Sequence, residues 1–92
     1  MIRSFKHKGL RDFFQTGSAR GLNVQNSDRI RRILLALEAA SCPEDLNLPG
    51  FRFHALSGKL ASRYAVNASG NWRITFGWDG NSVVDVDLED YH

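Results

Sequence analysis

Apolar positions in this chain first follow a helical period and then the two-residue period of strands. Ile2 to Phe5 reads as a short strand. From Lys8 to Gln15, Leu10, Phe13 and Phe14 fall at i, i+3, i+4 spacing and predict an amphipathic helix. Gly17 ends it, and residues 17–21 form a loop. Ile30, Ile33, Leu34, Leu37 and Ala40 make a longer helical stripe, with Arg29, Arg32 and Glu38 mostly away from it. Asn26 or Ser27 can cap this second helix by accepting a bond from an orphan backbone N–H. Pro43 stops it and can open one more helical turn, because proline suits a first helical position.

The second half alternates. Phe51 to Leu56 does so briefly, and Ser62 to Val66 is a further strand. The clearest strand is Trp72 to Trp78, with Trp72, Ile74, Phe76 and Trp78 on one face and Arg73 and Thr75 on the other. Asp79-Gly80-Asn81 is a hairpin turn, and Ser82 to Leu88 returns with Val84, Val86 and Leu88 expected on the buried face. The order β-α-α-β-β-β predicts an α+β fold, two N-terminal helices packed on one face of an antiparallel sheet. With 92 residues and 42% hydrophobic content, residues 1–92 are expected to form one domain with one core.

The net charge of +2 is unevenly placed: residues 1–32 carry +6 and residues 33–92 carry −4. A basic half suits a phosphate-rich partner or serves as a solvated surface. One cysteine, Cys42, permits no internal disulfide, and its neighbours Ser41 and Pro43 supply no activating base. The N-terminus lacks the apolar stretch of a signal peptide, and no run is long enough to span a membrane. The expected location is the cytoplasm.

Reactivity concentrates on His7, His54 and His92, side chains able to give or take a proton near neutrality. None lies in a zinc-ligand spacing, no glycine-rich phosphate loop joins a strand to a helix, and there is no G-x-S-x-G elbow, so no metal or cofactor is expected. Metal-free RNA cleavage fits these residue types. RNA supplies its own nucleophile, the 2′-hydroxyl beside the scissile phosphate. The enzyme must take that proton, protonate the departing 5′-oxygen and stabilise charge on the phosphate. A guanidinium matches the phosphate oxygens bidentately, and Arg73 sits mid-strand where the scaffold can hold it. His54 and His92 are the candidate acid and base. Asp90 can orient a histidine or take the proton itself, and Tyr91 can bond a phosphate or stack on a base. Each also has a plain structural role open to it, as sheet surface, packing residue or chain end.

Four stretches now carry a resemblance: Asn71-Trp72-Arg73-Ile74-Thr75-Phe76, the ending Glu89-Asp90-Tyr91-His92, the start Met1 to Leu10, and Phe53-His54-Ala55-Leu56-Ser57-Gly58. The chain resembles the HigB toxins of type II toxin–antitoxin modules, a branch of the RelE superfamily, over essentially its whole length. The resemblance implies a RelE-like fold and an endoribonuclease that cuts mRNA in the ribosomal 30S A site. It implies a HigA-like helix-turn-helix antitoxin, with the toxin itself a monomer that joins a larger complex. It carries catalytic positions onto His54, Arg73, Asp90, Tyr91 and His92. Two departures stand out: Ser57 where such toxins often have lysine, and Asn67 where a strand arginine is common. Lys59 and Arg63 are candidate replacements, and with Lys6 and Lys8 they make up the candidate RNA-binding set. The rival reading is a weak or inactive domain that binds antitoxin or RNA. A secreted ribonuclease would be expected to carry a signal peptide and disulfides.

Overall fold

The computed structural model describes residues 1–22, 26–58 and 62–90. Two helices come first, α1 (Lys8–Thr16) and α2 (Ser27–Ala39), then a single 3₁₀ turn at Pro43–Leu46. Four strands follow: β1 (His54–Ala55), β2 (Arg63–Ser69), β3 (Trp72–Asp79) and β4 (Ser82–Asp90). They form one antiparallel sheet in the order β1-β2-β3-β4. The expected helices-on-sheet architecture is present, with differences at the edges. The expected first strand is reduced to two isolated parallel bridges to β4, Ile2 to Val83 and Phe5 to Val86. The brief alternation near His54 yields only a two-residue edge strand.

Local chemistry explains the helix boundaries. His7 caps α1, its Nδ1 accepting from the Leu10 N–H at 3.1 Å. Gly17 closes α1 at φ 82°, a left-handed conformation that costs glycine no side-chain clash. Asn26 caps α2 through the Arg29 N–H at 3.1 Å. Pro43 opens the 3₁₀ turn as the pattern predicted. Leu10 and Phe13 of α1, and Ile30, Ile33, Leu34 and Leu37 of α2, bury against Val66, Ile74, Phe76, Val83, Val86 and Leu88 of the sheet.

Arg29 departs from its expected solvent-facing role. Its guanidinium donates to the carbonyls of Gly50 at 2.6 Å and Asn67 at 3.1 Å, and lies 5.4 Å from the centre of the Phe51 ring. The side chain therefore ties α2 to β2 and to the loop before β1, and combines charge-assisted bonds with a cation–π contact.

A second correction concerns β4. Val83, Val86 and Leu88 face the core, whereas Val84 does not. The pairing slips between Thr75–Asp87 and Gly77–Val84, so β4 carries one extra residue opposite β3. Asp85 adopts φ 53° at this bulge, which resets the alternation. Its N–H donates to Ser4 Oγ at 2.9 Å, and Ser4 Oγ donates to Asp85 Oδ1 at 3.3 Å.

Two stability outcomes follow. Replacing Gly9 by alanine ordinarily strengthens a helix by about 1 kcal/mol. Here a Cβ would run into the carbonyl of Gly21, which packs backbone to backbone on α1. Gly9→Ala is expected to lower unfolding free energy by roughly 1–3 kcal/mol in denaturant titration. Asp85→Val is expected to cost more than Asp85→Gly, since a β-branched residue resists positive φ.

Candidate functional site

Register builds the site on the sheet face that the helices leave uncovered. His54 pairs with Ala65, Ala65 with Thr75, and Thr75 with Asp87, which makes one row across all four strands. The next row is Asn67, Arg73 and Glu89. Directly paired residues in antiparallel strands share a face, with Cβ atoms about 4.5–5.5 Å apart. His54, Arg73, Asp87 and Glu89 are thus on one side, and Ile74, Phe76 and Leu88 on the other.

His54 lies at the exposed edge on β1. Its Nδ1 is 3.0 Å from the Arg52 carbonyl oxygen. An Nδ1–H donated there leaves Nε2 as the acceptor, the state a base requires. Arg52 holds φ 52° two residues before His54, and Phe53 stacks on Tyr64 at 5.8 Å between ring centres on the opposite side. Backbone and packing together aim the imidazole at the polar face. Arg73 is half-buried at the second position of β3, an inner strand, where β2 and β4 hold its backbone on both sides.

Arg63 has a larger role than its sequence position indicated. One guanidinium nitrogen donates to Thr75 Oγ1 at 3.0 Å and to the Asp85 carbonyl at 2.8 Å. It thereby crosses β3 and locks onto the bulge of β4. Thr75 is fully buried, so its hydroxyl needs a partner, and Arg63 supplies one. Gly77, the direct partner of Arg63, leaves room for the guanidinium to lie flat on the sheet. Lys6, Arg63, Asp85, Asp87 and Glu89 together line a cleft of about 370 Å³.

Asp90 pairs with Trp72 and so occupies the register of Ile74 and Leu88, not the face of Arg73. It ends β4 one position along from Glu89, the cross-strand partner of Arg73. Lys8 is exposed at the first position of α1 and does not line the cleft. Lys59, Tyr91 and His92 lie outside the described residues. Two features escaped the sequence reading. Arg63 reaches across the sheet, and the carboxylates Asp87 and Glu89 stand beside Arg73. Alternation within β4 could have found the carboxylates, but their neighbours depend on register.

Cys42 offers no nucleophile. Desolvation, then a hydrogen bond to Asp45 with Sγ to Oδ1 at 3.5 Å, raise its thiol above the ordinary value. Asp45 is held below the usual carboxylate range, chiefly by the Ser41 N–H at 2.8 Å.

With this geometry in place, the comparisons with known proteins identify the family. The family model of the HigB-like toxins, RelE-like toxins of type II toxin–antitoxin systems, matches residues 3–92. The chain belongs to this family. It is 37% identical to Endoribonuclease HigB of Proteus vulgaris over 92 residues, 100% of both chains. The crystal structure of a point mutant of YafQ from E. coli matches with a TM-score of 0.63, over 98% of this chain and 93% of that one. At 10% identity, that likeness speaks for the fold alone. As a HigB-like toxin, the protein has an antitoxin as its partner. No helix among the described residues is long and apolar enough to cross a membrane.

Two measurements check this description. Cys42 is expected to alkylate more slowly than free cysteine at mildly alkaline pH, because its raised pKa leaves less thiolate. Arg63→Ala is expected to cost roughly 1–3 kcal/mol of stability, because it strands the buried Thr75 hydroxyl.

Proposed function

We propose that this HigB-like toxin is a ribosome-dependent endoribonuclease that cuts mRNA in the 30S A site and so stops translation. The observation that carries the reading is the shared sheet face: Arg73 on the inner strand β3, Arg63 anchored across that strand and His54 at the edge on β1. A base takes the proton of the 2′-hydroxyl. The oxygen attacks the adjacent phosphorus, the bond to the 5′-oxygen breaks, and an acid protonates that leaving oxygen. The products carry a 2′,3′-cyclic phosphate and a 5′-hydroxyl. Arg73 binds the phosphate oxygens as charge accumulates. His54 and His92 supply the proton transfers, Asp90 orients the tail histidine, and Tyr91 holds phosphate or base. The family membership and the relative named as an endoribonuclease support the same activity. The reaction uses no metal or cofactor.

Charge on the polar face supports dependence on the ribosome. Lys6, Arg63 and Arg73 are matched there by Asp85, Asp87 and Glu89. Among the described residues these charges balance, and a face without net positive charge gains little from phosphate contacts and counterion release. Alignment therefore has to come from the ribosome, and alignment can account for about 7–11 kcal/mol of a barrier in favourable cases. Residues 1–92 act as one domain in the cytoplasm, with Lys6, Lys8, Lys59 and Arg63 contacting RNA. A HigA-like helix-turn-helix antitoxin binds the toxin monomer and builds the larger complex.

One observation favours the rival, a weak or inactive binding domain. Arg63 spends donors on Thr75 and Asp85 and replaces only part of the charge that Ser57 and Asn67 do not supply.

In a translation extract, the protein is expected to cut A-site codons and to leave naked RNA nearly uncut; equal cutting of both rejects ribosome dependence. Arg73→Ala and His54→Ala are each expected to slow cutting by about 10²–10⁴-fold with folding intact. Removing Tyr91 and His92 should abolish cutting while the thermal transition stays. Growth inhibition unchanged by all three would establish the binding-domain reading instead.

A further inference from the structure

The cleft beside Arg73 combines features that the cleavage chemistry does not use. Lys6 stands on one side, carried by the N-terminal segment whose Lys6 N–H donates to the Val86 carbonyl at 2.8 Å. Arg63 stands on the other, fixed by Thr75 and the Asp85 carbonyl. Between them lie Asp85, Asp87 and Glu89. Among the described residues, Lys6 and Arg63 form no ion pair with these carboxylates within 4.0 Å. Lys6 and Arg63 thus stand out of ion-pair range of these carboxylates around an open volume of about 370 Å³, within the range of small-ligand pockets, about 300–1,000 Å³. Asp85 is pinned by Ser4, and Asp87 Oδ1 is turned toward the Leu88 N–H at 2.9 Å. Glu89 is the direct cross-strand partner of Arg73, and Asp87 of Thr75 one row away.

We propose that this cleft receives the base of a nucleotide next to the scissile phosphate, with Asp87 and Glu89 selecting bases that carry an exocyclic amino group. The inference rests on the endoribonuclease reading and adds the substrate preference. An ionised carboxylate only accepts hydrogen bonds. It suits the amino groups of adenine, cytosine and guanine, and it repels the carbonyl that uracil presents where cytosine presents an amine. Unstacked RNA bases are commonly read in this way along their edges. Lys6 and Arg63 offer alkyl stems as walls for the ring and cationic heads for the flanking phosphates.

Two experiments test the proposal, and they separate it from the reading beneath it. The first is a titration of the folded, ¹⁵N-labelled full chain with cytidine and, separately, uridine, which differ in the group at C4, amine against carbonyl, and in the N3 proton that uridine carries. Cytidine should shift the amide signals of Lys6, Asp87 and Glu89, and uridine should leave them in place. Equal shifts with both, or none with either, overturn the cleft as a selector. The second measures cutting in a translation extract, with mRNAs whose A-site codon varies one base at a time. The wild type should disfavour uracil by roughly tenfold at one codon position, the size of one good edge contact. Asp87→Asn, whose amide can also donate, should bring that ratio close to one. A uracil ratio that is unchanged by Asp87→Asn overturns the proposal and leaves the nuclease reading standing. A folded wild type that cuts no mRNA overturns both.

Discussion

An extra residue in β4, accommodated at Asp85 with φ 53°, decides which side chains of the last strand meet the core. Strict alternation would put Val83 on the opposite face from Val86 and Leu88. The bulge brings all three inward, against α1, α2 and the strand neighbours Ile74 and Phe76. The same distortion offers the Asp85 carbonyl to Arg63 and the Asp85 N–H to Ser4. Core packing, the attachment of the N-terminal segment and the anchoring of Arg63 therefore share one backbone feature. A left-handed aspartate is strained relative to glycine, and these contacts offset the strain.

The sheet is consequently two-sided in an uneven way. One face is apolar and sealed by helices, with Arg29 fastening α2 to β2 through backbone carbonyls. Among the described residues no helix covers the other, yet Ala65 and Thr75 on it are fully buried. Arg63 covers part of that face and satisfies the Thr75 hydroxyl. A guanidinium used in this way is rigid, and in the proposed cleavage such rigidity next to Arg73 favours stabilising a transition state over tight binding of the ground state. The price is reduced freedom to follow a phosphate, which accords with the dependence on external alignment of the substrate proposed above.

Much of the fold was legible from the chain alone. Leu10 and Phe13, then Ile30 through Leu37, share helix faces because the 3.6-residue period is local and unambiguous. Gly17, Asn26, Pro43 and Gly80 act at the boundaries where their backbone chemistry applies. Arg73 was readable as a rigid cation opposite the apolar face of β3, and His54 as a candidate beside an aromatic.

What the sequence could not supply was everything that depends on register. The alternation in β4 looked regular, and the bulge that breaks it arises from pairing with β3. Arg29 read as a surface residue, because its carbonyl partners lie 21 and 38 positions away. Arg63 read as a spare cation, and only the folded sheet brings it onto Thr75 and Asp85. The terminal Asp90-Tyr91-His92 was picked out by its residue chemistry and by resemblance, and the sheet adds that β4 carries the chain to Asp90, one residue from the partner of Arg73. Periods and turn residues are properties of neighbours along the chain. A site made of rows across strands exists only once distant segments are brought side by side.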